Sequence, residues 1–487
     1  MPWTGCWYRD SGACPSIVGV GVPSRWQFRI DFRQGMPCTT CYSFPMIQAM
    51  NVRSRCPATV NAWRIAVILC GSLMLSAQDF QGATHLLPFE EENLQYGKTA
   101  ATGAITRLQS RLDGGETALR WDERRGYLPG LLEALGVSVD SQVLVFSKTS
   151  FQRDRISPQN PRALYFNDDV YIGYVPGSPL LEVSTADPKL GGVFYTLENR
   201  QTPKPKLVRT DNCLECHAGA KTMGVPGHLV RSFQTDDRGV TDLLPGTEII
   251  THRTPLADRW GGWFVTGEHG SQTHRGNLIG AADFERQRQE PNFAGNKPDL
   301  STFKDYFDVG QYPSTTSDIV ALMVLEHQLH MHNFLTRLNY EATLQLKAYG
   351  HCNYLKSPLE AFLRYLLFVE EAPLTAPVRG NPVFPRAFAA GGPRDGQGRS
   401  LRELDLQSRL FRYPCSYLIH SESFDALPPE LKVRIYQRLW DILTGRDTGP
   451  EWKRLTDADR RSVLEILRAT KKDLPAYWNP APTSAGA

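Results

Sequence analysis

The segment Asn212-Cys213-Leu214-Glu215-Cys216-His217 constrains this chain more than any other six residues in it. Two cysteines two residues apart, followed at once by histidine, form C-x-x-C-H, the attachment pattern of a c-type haem. The spacing has a physical reason: around one helical turn the thiols reach the two vinyl groups of a porphyrin, and the adjoining imidazole falls under the iron. The pattern therefore predicts one haem c, tethered by Cys213 and Cys216, with His217 as the proximal iron ligand. A tetrahedral zinc site needs four protein ligands, commonly two close pairs, and the only other C-x-x-C is Cys38/Cys41 near the start of the chain. A thioredoxin-like redox pair shows C-x-x-C as well, but nothing in that chemistry requires the histidine.

Haem attachment of this kind goes with export, and the sequence carries an export pattern. Met50 is followed by Arg53, Arg55 and Arg64, then by an apolar run from Ile65 to Leu75 that ends in Leu75-Ser76-Ala77. A positive flank, a short apolar stretch and small residues read as a signal peptide over 50–77. An anchor or a buried core helix is the competing reading of that run, which falls short of the ~20 residues that span a bilayer. Residues 1–49 then read as a spurious or non-mature leader, with translation starting at Met46 or Met50. The mature chain is expected to be periplasmic or otherwise exported, without a transmembrane span.

That boundary changes what composition means. The formal charge is +3, yet the first 77 residues hold seven arginines against Asp10 and Asp31, which leaves about −2 for the rest. No basic stripe survives to bind nucleic acid or an anionic membrane. Six of the ten cysteines also precede residue 78. Cys352 and Cys415 remain outside the motif and are either a disulfide or two buried free thiols, since an oxidising compartment makes unpaired exposed thiols a liability.

Along the chain the texture changes twice, which predicts an α+β fold. Residues 78–200 begin with a helical pattern from Pro88 to about Leu112 and a shorter one over 130–135. Five short β-branched and aromatic runs follow, at 143–146, 163–166, 170–175, 180–183 and 193–197, separated by Asn167-Asp168-Asp169, Pro176-Gly177-Ser178 and Asp187-Pro188. This reads as an antiparallel meander, one wall of the haem pocket. Residues 201–350 hold the haem motif and a long helix capped by Thr316 or Ser317 that runs towards Leu346. Residues 351–478 are a helical region with a Pro/Gly-rich loop over 371–399, a helix from Pro429 to Leu443, and one that starts at Thr456 with Asp459 as its capping-box partner. The tail 479–487 is small and polar and reads as disordered.

For the second axial position several side chains compete. Met223 and His228 lie so close to His217 in sequence that the chain would have to wrap the ring edge nearly extended. His269 is the candidate distal ligand, because Trp260–Thr266 alternates like a strand and Gly267 releases the chain into a loop; His274 follows nearby. Glu326, His327, His330, Met331 and His332 crowd one helix and are candidates for a transition metal or for haem contact, together with Met323. Their spacing matches neither H-E-x-x-H nor E-x-x-H. Arg209 and Arg231 are candidates for contacts to the haem propionates.

The run Arg162–Gly173 resembles a family of exported bacterial cytochrome c domain proteins. So do Cys213-Leu214-Glu215-Cys216-His217-Ala218 with Gly224-Val225-Pro226-Gly227, Arg259–Trp263, Glu326-His327-Gln328 through Asn333, Tyr413–Tyr417 and Phe424–Pro428. The likeness spans about residues 85–478 and implies one mono-haem unit larger than the small cytochrome c fold; it brings no substrate. The expected function is electron transfer with periplasmic redox partner proteins. The alternative is a haem oxidoreductase such as a peroxidase, with the distal side of the iron open to a substrate.

Overall fold

The computed structural model describes residues 87–91, 94–244 and 246–479. The leader expected over 1–49 and the signal peptide expected over 50–77 lie outside those residues, as does the tail beyond Asn479. Among the described residues, two helices come first, α1 (Ala104–Asp113) and α2 (Leu128–Ala134). Strands β1 (Val143–Val145), β2 (Arg162–Phe166), β3 (Val170–Tyr174), β4 (Leu180–Asp187), β5 (Gly191–Glu198) and β6 (Leu207–Arg209) lead to the single turn α3 (Leu214–His217). Four short strands follow, β7 (Val230–Ser232), β8 (Gln234–Thr235), β9 (Thr241–Asp242) and β10 (Glu248–Ile250), and then β11 (Trp263–Phe264). The rest is helical: α4 (Gly280–Gln289), α5 (Ile319–Tyr349), α6 (Lys356–Leu366), α7 (Val383–Ala390), α8 (Glu422–Asp425), α9 (Pro429–Leu443) and α10 (Asp457–Thr470). The fold is thus α+β, an antiparallel sheet followed by a helical half.

The five runs read as a meander are consecutive neighbours in one antiparallel sheet, which gains β11 at one edge and β6 at the other. Its pleat divides two cores. Leu144, Ala163, Tyr165, Ile172, Tyr174, Leu181, Val183 and Val193 point to the side where α1 and α2 bring Ile105, Leu108, Leu128 and Leu131. Val143, Val145, Phe166 and Tyr171 point to the other side, into the core built on α5. Alternation of side chains along each strand sends successive residues to opposite layers.

On that second face Leu164, Gly173, Glu182 and Thr196 stand in one cross-strand row, since Leu164 pairs with Gly173, Gly173 with Glu182 and Glu182 with Thr196. Beyond Thr196 the row reaches Val208 of β6, and the C-x-x-C-H turn follows β6 directly in the chain.

Helix α5 is buried all round. Every residue from 319 to 338 is inaccessible, including Glu326, His327, Gln328, His330, His332, Asn333 and Arg337. A helix buried on every side must find partners for each polar side chain it carries. Its cap is Asp318, whose carboxylate accepts from Val320 and Ala321, and not Thr316 or Ser317. Ser317 serves the sheet edge instead: its hydroxyl accepts from Leu144 N and donates to Phe264 O.

Two other expectations change, and one open alternative closes. The helix expected from Pro88 starts only at Ala104, because the buried carboxylate of Asp187 takes the backbone N–H groups of Thr102 and Gly103 while also holding those of Lys189 and Leu190. The stretch 371–399 is not a bare loop, since it contains α7. Cys352 and Cys415 are both buried free thiols rather than a disulfide. The helix over Pro429–Leu443 and the Thr456/Asp459 capping box stand where the sequence places them.

Asp187 joins the start of α1 to the β4–β5 turn through four charge-assisted backbone hydrogen bonds. Asp187→Ala would leave those donors buried without an acceptor, and is expected to lower unfolding free energy by roughly 2–4 kcal/mol. Urea denaturation checks this; a loss below ~0.5 kcal/mol would show that the carboxylate is dispensable.

Candidate functional site

The motif occupies one turn. The amide of His217 donates to Cys213 O at 3.0 Å, closing α3 around the two cysteines, and Leu214 anchors the turn on the core between the sheet and α1–α2. Cys216 is exposed and Cys213 partly so, and neither thiol is bonded to another sulfur. Burial pushes the Cys213 thiol up to about 11, with Glu182 adding to the effect and Arg162 opposing it.

His217 is fixed by a double pairing with one residue. Its carbonyl accepts from Gly227 N at 2.8 Å, and its Nδ1 lies 2.9 Å from Gly227 O. A carbonyl can only accept, so Nδ1 carries the proton and Nε2 keeps its lone pair. Burial holds the imidazole below its ordinary titration range, against the opposing pull of the Gly227 bond, so the ring is neutral. This is the state and orientation a metal-binding histidine needs, with the second nitrogen held by a backbone carbonyl. The donor set, two unpaired thiols and one oriented neutral imidazole on a single turn, fits the attachment of a c-type haem.

The loop that carries Gly227 is held by α5. Asn333 Oδ1 accepts from His228 N at 3.0 Å, its Nδ2 donates to His228 O at 2.7 Å, and Arg337 donates to Met223 O at 2.9 Å. One turn further, Tyr340 OH donates to Leu190 O in the β4–β5 connection. Towards the other end of the same helix, Gln328 Nε2 donates to Asn167 O, Asp168 O and Tyr171 OH, and His332 Nε2 donates to Asp168 O. The polar residues of α5 are therefore clamps on the motif loop and on the sheet turns.

Aromatic rings fill the space behind His217. Phe194 of β5 lies 4.9 Å from it between ring centroids and 5.3 Å from His228, whose ring is 4.7 Å from that of Tyr171. His228 Nε2 bonds to Ser184 Oγ of β4, and its Nδ1 is buried without a partner.

The other residues singled out in the sequence sit elsewhere. His269 forms a separate cluster with His274, and its two ring nitrogens face Gln272 O and Gly295 O. Met223 is buried at a left-handed backbone position, and Met323 and Met331 lie in the core around α5. Arg231 donates to Thr247 and stacks on Phe233, while Arg209 donates to Thr99 O and Tyr96 O beside Asp211.

The Glu326–His332 cluster is drawn apart by its partners. Glu326 pairs with Arg259 and accepts from Trp260 Nε1. His327 bridges Ser416, at 2.8 Å from Nε2, and His252, whose Nδ1 is 2.9 Å from its own Nδ1. Burial lowers both imidazoles, so one proton is shared along the N···N contact. With His252 as donor, His327 Nε2 donates to Ser416 Oγ and His252 Nε2 is left as a buried lone pair. The sequence reading missed His252 and Ser416, which lie 75 and 89 residues from His327 and carry no local signal.

Among the described residues no group of three or more His, Cys, Asp or Glu side chains is arranged to hold a metal ion, and no helix is long and apolar enough to cross a membrane. No protein-family model, curated protein or solved structure matches the chain.

A Cβ at Gly227 would lie 2.2 Å from Asn333 Oδ1. Gly227→Ala is expected to push the motif loop off α5 and cost roughly 1–3 kcal/mol. Gly219→Ala, with nothing within 4 Å, should be near neutral. Equal thermal shifts for the two variants would contradict the clamp.

Stability should also fall as pH drops from 7 to 5. Burial lowers His228, His252, His274, His327, His330, His332 and His420, which take up protons near pH 6.5 only when unfolded. Asp169, Asp318, Glu326 and Glu371, raised by burial to between about 6 and about 7, bind protons earlier in the fold and work the other way, but they are fewer. The net slope is ~1.4 kcal/mol per pH unit for each excess proton bound on unfolding. A thermal midpoint that rises on acidification would show that the carboxyls dominate.

Proposed function

We propose that this chain is an exported c-type cytochrome with one haem attached through Cys213 and Cys216 and ligated by His217, passing single electrons between periplasmic redox partner proteins. The observation that carries this reading is the pairing of His217 with Gly227, which leaves Nε2 as a free lone pair on the turn that bears both thiols. Bound there, the haem would supply a one-electron couple. Cys213 and Cys216 would tether it, His217 would hold its iron from one side, and Phe194 would pack beside the ligating ring. The apolar run over 65–75 and the likeness to exported cytochrome c domain proteins support the same compartment and cofactor.

One observation favours a second reading, a haem oxidoreductase such as a peroxidase. Both ring nitrogens of His269 are turned to carbonyls, so the residue expected on the distal side is engaged elsewhere. An iron position left open to a small substrate is what such an enzyme uses. The absorption spectrum of the oxidised protein separates the two: low-spin six-coordinate iron supports the carrier, high-spin iron the enzyme.

Expressed with haem-maturation machinery and exported, the protein is expected to give a pyridine haemochrome spectrum equivalent to one haem per chain, with pigment that resists acid acetone. The double variant Cys213→Ala/Cys216→Ala should lose at least nine-tenths of it (roughly a tenfold drop). Colourless wild-type protein, or pigment that extracts freely, would contradict the proposal.

A further inference from the structure

Beside the motif, the sheet carries a charged pair that nothing in the fold requires. Arg162 of β2 and Glu182 of β4 lie on the face that meets α3, two strands apart, and Arg162 Nη1 donates to Glu182 Oε2 at 2.6 Å. They can meet because the intervening residue of β3 is Gly173. A Cβ there would lie 3.1 Å from Glu182 Oε2 and 3.3 Å from Glu182 Cβ, so any side chain would crowd the bridge. Two residues along the same face, Ser184 of β4 pairs with Phe194 of β5, whose ring lies 4.9 Å from that of His217, so Glu182 stands one cross-strand row from the contact with the turn that bears the thiols.

The guanidinium is only half used. Arg162 Nε is buried and has no hydrogen-bond partner, although its side chain is 18% exposed overall. A buried donor without an acceptor is destabilising unless something else supplies one. A guanidinium presents its five N–H groups as a planar fork, so one edge can hold Glu182 while another binds a second carboxylate. Of the arginines near the motif, Arg209 donates to Thr99 O and Tyr96 O and its Nε, which makes no hydrogen bond, already faces the Asp211 carboxylate at 3.5 Å, while Arg231 is engaged by Thr247 and the ring of Phe233.

We infer that Arg162, oriented by Glu182 across Gly173, is the positioning residue that receives a propionate carboxylate of the prosthetic group. The inference rests on the haem reading above and moves the propionate anchor from Arg209 and Arg231 to Arg162 of β2. Glu182 has two effects in it: it fixes the fork, and its negative charge stabilises the oxidised iron relative to the reduced.

The test uses the full exported chain, matured with haem, as wild type and as Arg162→Gln, Arg162→Lys, Glu182→Gln and Arg231→Gln. Haem content is read first by pyridine haemochrome. The four variants leave Cys213, Cys216 and His217 intact, so each should retain covalent pigment. The propionate bending band in the resonance Raman spectrum is expected to shift in Arg162→Gln and, less, in Arg162→Lys, and to stay in place in Arg231→Gln. The midpoint potential should fall in Arg162→Gln and rise in Glu182→Gln, each by about tenfold in the ferric-to-ferrous ratio, ~59 mV. An unmoved band in Arg162→Gln with full haem content, or a band that moves only in Arg231→Gln, would overturn the assignment while leaving the haem reading intact. If Arg162→Gln does not fold, Arg162→Lys and Glu182→Gln decide it by the same readings. Colourless wild type overturns both.

Discussion

The hydrogen bond from His217 Nδ1 to Gly227 O is the interaction on which the rest depends. It selects the tautomer of the imidazole, leaves Nε2 as a lone pair, and holds the ring to the loop that follows the two thiols. The peptide that accepts it is itself immobilised, since Asn333 holds the N–H and C=O of the next residue and Arg337 holds Met223 O. A ligand oriented by a rigid second layer is worth more than a ligand merely present.

That second layer explains an unusual helix. Burying histidines, an asparagine, a glutamine and an arginine on α5 is costly unless each is matched, and the carbonyls of the motif loop and the β2–β3 turn are what match several of them. The sheet plays a complementary part. Its pleat sends apolar side chains to two cores, while the row Leu164, Gly173, Glu182 and Thr196 gives the motif a flat, partly charged wall. The packing of the sheet and the geometry of the C-x-x-C-H turn therefore share the same residues around α3.

Locally encoded features were legible in the sequence. The meander could be read from β-branched runs and their turns, and α9 and α10 from their stops and caps. Features set by distant partners were not. Pro88–Gly103 has a helical pattern but yields its last two amides to Asp187, 84 residues away from Gly103. His269 looked free in its loop, yet two carbonyls claim it. The crowding of Glu326 to His332 resembled a ligand set because sequence cannot show Arg259, His252, Ser416 and Asp168 arriving from three other segments. Arg162 went unnoticed for the same reason, as its partner is two strands over.

Trypsin cuts after Arg209 and Lys221, so the peptide Thr210–Lys221 contains both thiols and His217 and no other part of the site. Its intact mass, measured on protein exported from a host able to mature c-type cytochromes, addresses the attachment directly. The mass of one haem added to that peptide, with neither cysteine alkylatable, is the predicted result. The unmodified peptide with two alkylatable thiols would contradict it.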